Sequence, residues 1–459
     1  MHRTLMLACS LPMLTILELG CGAGGTNTPP PPVPHFAVPA PTLLRTLYRV
    51  VNGSDRMTTI GPDERSSYPL EGQVYYVPDQ PASGRTTLNR LINSGGTDHA
   101  DAINNLMGYS QDMVLGFPWT GASGLGMAQL SEFLNSGTGD YALLAPSESL
   151  PGYSPQALAV YGYPRFGNAS EVLLSLSAGG ITVESNKVAG GVVWRWFWNG
   201  VEFENNFAYG GEIQAAFYVG DNPNLNPTEA GDFYGRENPI LAHGSPVVRF
   251  ENQGNTQITR AIPLNWDPTV FGGDQDHPVI WDSVILGKDL TLNFNNMGPV
   301  AKYTTHVVLP GKTSGSLTSP ITYLRGNFNR YWTYDAQSQQ LNEVTGHIVN
   351  GCSNNLPPYV FNADFGGVII SDSTAAYAMG IYGVSTAHGG WVSSYGLWSF
   401  PCGTTDTSES AYNFNVLSPA SASGWLFPAG ESTYNAYMIT ESVQTVAAKM
   451  SELYALGVR

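Results

Sequence analysis

Four markers recur three times between positions 42 and 164, and their spacing constrains the fold more than any other feature of the chain. Leu47-Tyr48-Arg49 returns as Leu88-Asn89-Arg90 and as Leu130-Ser131-Glu132. Each is followed by an Asn and an Asp: Asn52 and Asp55, Asn93 and Asp98, Asn135 and Asp140. A tyrosine comes later in each unit (Tyr68, Tyr109, Tyr153), and each unit closes on a short apolar run such as Val74-Tyr75-Tyr76. A unit of about 40 residues cannot bury a hairpin alone, so three of them must close on one another. The arithmetic predicts a β-trefoil-like module over residues 41–165.

Those markers resemble a repeat family of secreted bacterial and fungal proteins whose units read approximately L-Y-R-x-x-N-x-x-x-G-D-H-F-Y-T, then E, G-Y and E-G. The resemblance implies a trefoil-like, carbohydrate-associated module. The sequence departs from that pattern after each Asp, as Asp98-His99-Ala100 and Asp140-Tyr141-Ala142 show. A lectin site needs carboxylate acceptors beside an aromatic face, and Asp98 and His99 with Tyr109, and Asp140 and Tyr141 with Tyr153, supply both. The competing expectation is that these Asp residues cap turns and the tyrosines fill the core.

Beyond residue 165 composition takes over the argument. The 459 residues include 52 Gly and 32 Pro, aromatics reach 11%, and charged residues make up only 12%. Such a chain is poor in long helices and suited to strands joined by tight turns. Short alternating or apolar runs, among them residues 171–176, 181–184, 191–198 and 213–219, continue to the C-terminus. Helical periodicity is convincing only over Ser432–Leu456. The expected fold class is therefore all-β: the trefoil-like module followed by a large β-supersandwich over 166–459 with a C-terminal helix. Gly190–Trp194, Asn199–Phe203, Gly211–Tyr218 and Asn226–Asp232 resemble a group of secreted bacterial proteins. That group looks like the supersandwich shared by sugar mutarotases and by domains of polysaccharide-degrading enzymes. Glu212 stands where its members carry an Arg.

Residues 1–21 read as a lipoprotein-type signal peptide: Arg3, an apolar stretch, then Leu19-Gly20-Cys21, with Cys21 the expected lipidation site. Residues 22–40 form a Pro- and Gly-rich tether. The expected location is the bacterial cell envelope, lipid-anchored, with membrane contact only through that anchor. Removing Cys9 and lipidating Cys21 leaves Cys352 and Cys402, which an oxidising compartment would join. Closing that loop stabilises by about 4 kcal/mol in the chain-entropy model. With 20 Lys and Arg against 36 Asp and Glu, the net charge of −16 argues against nucleic acid.

The expected partner is an extracellular polysaccharide or other glycan. Cleaving it by hydrolysis takes paired carboxylates, and Glu212, Glu229 and Asp232 are the catalytic candidates. Glu229 and Asp232 have an alternative role, tying down a loop by accepting backbone N–H bonds. Lyase chemistry would draw on His243, His306, Tyr303 and Arg260. His243, Trp266 and Trp281 join Asp98, His99, Asp140 and Tyr141 as substrate-binding candidates. The Asp274-Gln275-Asp276 loop reads as a surface turn or a weak Ca²⁺ loop; no other cofactor and no metal ligand set is indicated. A non-catalytic glycan-binding or adhesion lipoprotein is the rival reading.

Overall fold

The computed structural model describes residues 38–458 apart from 147, 207–210, 221, 223, 235–237, 239, 351–358, 362–365, 384–391, 402–408 and 418–425. Cys21, Cys352 and Cys402 lie outside the described residues, as do the signal segment and most of the tether.

Each N-terminal unit has three strands, the first of which pairs with both the short second strand and the long third. The first holds β1 (Thr42–Asn52), β2 (Asp55–Thr59) and β3 (Leu70–Pro78). The second holds β4 (Leu88–Asn93), β5 (His99–Ala102) and β6 (Tyr109–Gly116). The third holds β7 (Ala128–Asn135), β8 (Tyr141–Leu144) and β9 (Tyr153–Gly167). The recurring Asn explains the first reversal in units two and three. Asn93 Oδ1 accepts the N–H of Gly95 at 3.1 Å, and Asn135 Oδ1 that of Gly137 at 3.0 Å, the side-chain turn for which Asn is favoured. The recurring Leu47, Leu88 and Leu130 meet in one buried cluster with Val74, Leu115 and Leu143. Strand β3 pairs with β9, and Trp119 bridges to Tyr161, so the units are stitched to one another. The pairing shows the threefold repetition; it does not show the closed barrel with a hairpin cap that defines a trefoil.

The C-terminal part is a sandwich of antiparallel sheets. One face contains Gln214–Val219, Thr313–Arg325, Glu409–Leu417, Val392–Phe400 and Tyr359–Phe361. The other is a nine-stranded sheet running from Val247–Gln253 at one edge to Gln340–Glu343 at the other. Phe217, Leu317 and Leu397 of the first meet Leu286, Tyr303, Ile381 and Met438 of the second in the main core, the interleaved inner faces expected of packed sheets. Strand β1 continues into the first face by pairing Thr42 with Ile280 and Leu43 with Val279, which fixes the module against the sandwich.

Two local expectations change. The stretch expected as a helix over Ser432–Leu456 is a strand, Gly430–Glu441, followed by a helix over Val443–Ala455. Ser442 begins that helix, its Oγ accepting the N–H of Thr445, as an N-cap does. Thr433, Asn435, Tyr437 and Ile439 are instead drawn into the sheet by ten consecutive pairings with Val300–Leu309. Strand alternation over Trp194-Arg195-Trp196-Phe197-Trp198 predicts three tryptophans on one inward face, and the structure does not place them so. A bulge opposite Glu184 and Ser185 shifts the alternation. Trp196 enters the main core, Trp194 joins a separate cluster with Val192, and Trp198 is half-buried.

Candidate functional site

Asp55, Asp98 and Asp140 occupy equivalent places, at the entry to the short middle strand of each unit. Because β2, β5 and β8 pack against one another, the three carboxylates converge. One oxygen from each lies within 4.8 Å of the others. Like charges at this distance need compensation, and hydrogen bonds within and between units supply it. His99 donates its backbone N–H (3.2 Å) to Asp55, and its Nδ1 lies 2.6 Å from Asp55 Oδ2. Arg56 donates its backbone N–H to Asp140 Oδ1 at 2.9 Å. Tyr109 donates its hydroxyl to Asp98, and Tyr153 donates its own to Asp140.

The tyrosines form a half-buried rim. Tyr109 and Tyr141 meet edge to face at 6.4 Å, and the Arg56 guanidinium sits 5.8 Å over the Tyr153 ring. Burial raises the Asp98 and Asp140 carboxyls above the ordinary range, while their tyrosine donors oppose the shift. The Tyr153 hydroxyl is pushed up to about 12, by burial first and by Asp140 second. At neutral pH it remains a donor.

Four sequence candidates, Asp98, His99, Asp140 and Tyr141, thus come together, with Tyr109 and Tyr153 beside them. His99 is buried against Asp55 and orients that carboxylate. Asp55 belongs to the same ring but is absent from the sequence-derived site; its recurrence with the Asn was the available signal. Three oxygens of this kind suit a hard cation, but Ca²⁺ takes six to eight. The ring is therefore short of a complete Ca²⁺ shell among the described residues.

The remaining candidates sit elsewhere. Glu229 has no exposed surface; its Oε2 accepts the Ala215 N–H at 2.7 Å and its Oε1 meets Lys288 Nζ at 3.1 Å. Asp232 accepts the Tyr234 N–H and lies 2.8 Å from His243 Nδ1, with both side chains buried. This is the loop-anchoring arrangement. Glu212 is also fully buried, so the three carboxylates do not form a solvent-facing acid pair. His243 Nε2 faces the hydroxyls of Thr46 at 3.3 Å and Tyr48 at 3.5 Å, at the joint between module and sandwich. Of the lyase candidates, Tyr303 is buried in the core, and His306 is held between Asp289 and Glu431.

Trp281 is buried, donating Nε1–H to Asn265. Trp266 is half-buried and joins Phe233 and Tyr234 in an aromatic group, with centroids 6.2 and 4.4 Å apart along the chain of contacts. The Asp274-x-Asp276 loop is a turn that docks the module. Asp274 accepts the Asp276 N–H and faces His277 Nδ1, while Asp276 meets Arg65 at 2.5 Å. These bonds direct both carboxylates to protein partners.

No family model matches the chain, and no curated protein matches it. Among solved structures it is similar to a galactose mutarotase related enzyme from Lactobacillus acidophilus, at 10% identity and TM-score 0.38 over 59% of this chain and 98% of that one. It is similar to a galactose mutarotase-like protein from Clostridium acetobutylicum at 11% identity and TM-score 0.35, over 60% and 96%. Heparan sulfate lyase from Pedobacter heparinus matches at 8% identity and TM-score 0.30, over 61% of this chain and 35% of the lyase. At these scores the likenesses carry nothing about chemistry.

Proposed function

We propose that this chain is an exported, lipid-tethered glycan-binding protein whose N-terminal module takes sugar hydroxyls at Asp98 against the Tyr109, Tyr141 and Tyr153 rim, with the buried Asp140 holding Tyr153 in place. The observation that supports this most is the convergence of carboxylates and half-buried tyrosine rings from three separate repeats. Carboxylates accept hydrogen bonds from sugar hydroxyls, and a tyrosine offers an apolar face with a polar tip. The acidic surroundings favour neutral glycans over polyuronates through repulsion. The aromatic group of Trp266, Phe233 and Tyr234 gives a further surface against which a sugar ring can stack.

The burial of Glu212, Glu229 and Asp232 supports binding over cleavage. The test is to incubate residues 22–459 with a panel of polysaccharides, following retention on immobilised glycan and release of reducing ends or unsaturated uronates. Retention without cleavage is expected. New reducing ends, abolished by Glu229→Gln in a folded variant, would replace this reading with a hydrolase; unsaturated products would replace it with a lyase.

A further inference from the structure

The three repeats also carry an outer ring of buried side chains, and one position in it breaks the pattern. Arg49, Arg90 and Glu132 stand two residues after the recurring leucines. Arg49 donates to Leu143 O in the third unit at 3.0 Å and grips Glu148 with two bonds of 2.8 and 2.9 Å. Arg90 does the same one unit along, donating to Thr58 O at 3.0 Å and gripping Glu64 with bonds of 2.8 and 2.7 Å. Each arginine has a second acid on its own unit, Glu71 for Arg49 and Asp112 for Arg90. These are bidentate pairs with their charges matched, the geometry in which buried ions are tolerated.

At the third position the arginine is replaced by Glu132, and the bulge that carries Glu71 and Asp112 in the other units is missing, Glu132 pairing with Gln156 and Phe133 with Pro155 in regular register. The residue it reaches in the neighbouring unit is Asp101, equivalent to Thr58 and Leu143. Asp101 donates its N–H to Glu132 Oε1 at 2.7 Å, and Thr58 donates its hydroxyl to Asp101 Oδ2 at 2.5 Å. Both carboxyls are about 5% exposed. An acid has thus taken the place of a cation and faces another acid inside the module.

We propose that Glu132, a buried acid in the place of a cation, keeps a proton at neutral pH, and that this proton removes the repulsion from Asp101 that would otherwise part β5 from β7. Glu132 is faced by Asp101, Asp98 and Tyr141, and Asp101 by Arg90, His99, Asp55 and the Thr58 hydroxyl. The cations lie on the Asp101 side, so the proton is held on the Glu132 side. Burial, and then Asp101, push the Glu132 carboxyl up to about 8; burial pushes Asp101 up to about 6 despite Thr58 and Arg90. The folded module binds this proton more tightly than the unfolded chain does. Its stabilisation is complete below the ordinary carboxylate range and is lost as pH rises through about 8.

Hydrogen exchange of the full chain, corrected for the intrinsic pH dependence of exchange, reads this effect locally. Protection of the β5 and β7 amides is expected to fall about tenfold or more between pH 6 and pH 8.5, a loss of one coupled proton. In Glu132→Gln, which keeps the acceptor and removes the charge, it is expected to stay within about twofold over the same range. Should that variant not fold, Asp101→Asn replaces it: it removes the second cause and leaves burial, so the decline is expected to shrink and shift to higher pH without vanishing. Flat protection in the natural chain overturns the proposal, as does an equal decline in the folded variant.

Discussion

At the residue scale, chemistry is decided by what each carboxylate already holds. Glu229 is fully buried and engaged by Lys288 and by the Ala215 N–H, so neutralising it strands a buried ammonium. Glu229→Gln is expected to destabilise the protein by about 3–5 kcal/mol, read as a lower urea midpoint at unchanged slope. A catalytic acid would instead lose turnover with little change in midpoint. Asp98 differs because it is only half-buried and its tyrosine donor stands at the rim and not in the core. Much of this contrast was hidden from the sequence. Glu229 and Asp232, three apart in a loop, carry no mark of burial, and Lys288 lies 59 positions away from Glu229. Asp98 and Asp140 were legible because repetition marked them, and Asp55 was marked equally well.

Elements obey the sequence where periodicity is local and depart from it where pairing is distant. The Asn turns and recurring leucines declared the three-stranded units, and the apolar runs declared the sandwich strands. The stretch before the terminal helix was misread because its partner, Val300–Leu309, lies far away in sequence. That helix packs Val443, Val446 and Met450 on the nine-stranded sheet, and the sheet makes room with glycine. A Cβ at Gly380 would lie 2.4 Å from Val446 Cγ1 and 2.7 Å from Met450 Cε. Gly380→Ala is expected to cost about 1–3 kcal/mol through overpacking. Adding Val446→Ala should recover part of that loss, a coupling that a double-mutant cycle of denaturation midpoints measures.

For the whole molecule, the joint between module and sandwich is polar and buried. Arg165 donates to Gly244 O at 2.8 Å and to Val188 O at 3.3 Å, and lies 4.8 Å over the Tyr76 ring. With the β1 pairing to Val279 and Ile280, this couples the two parts. One urea transition is expected for the natural chain. Arg165→Ala is expected to cost about 3 kcal/mol through lost charge-assisted bonds, separating unfolding into two transitions seen by fluorescence. No sequence motif announced this joint; His243 and Asp276, singled out for sugar or cation chemistry, serve it instead.

The central claim is that the carboxylate and tyrosine end of the N-terminal module holds a glycan. Calorimetric titration of the full chain with an oligosaccharide from the retained polysaccharide tests it, comparing the natural chain with Tyr141→Ala after circular dichroism confirms the fold. Saturable binding weakened about tenfold or more in the variant is predicted, the loss of a stacking ring and its contacts. Equal affinity in both chains would contradict the account, as would no binding in the natural one.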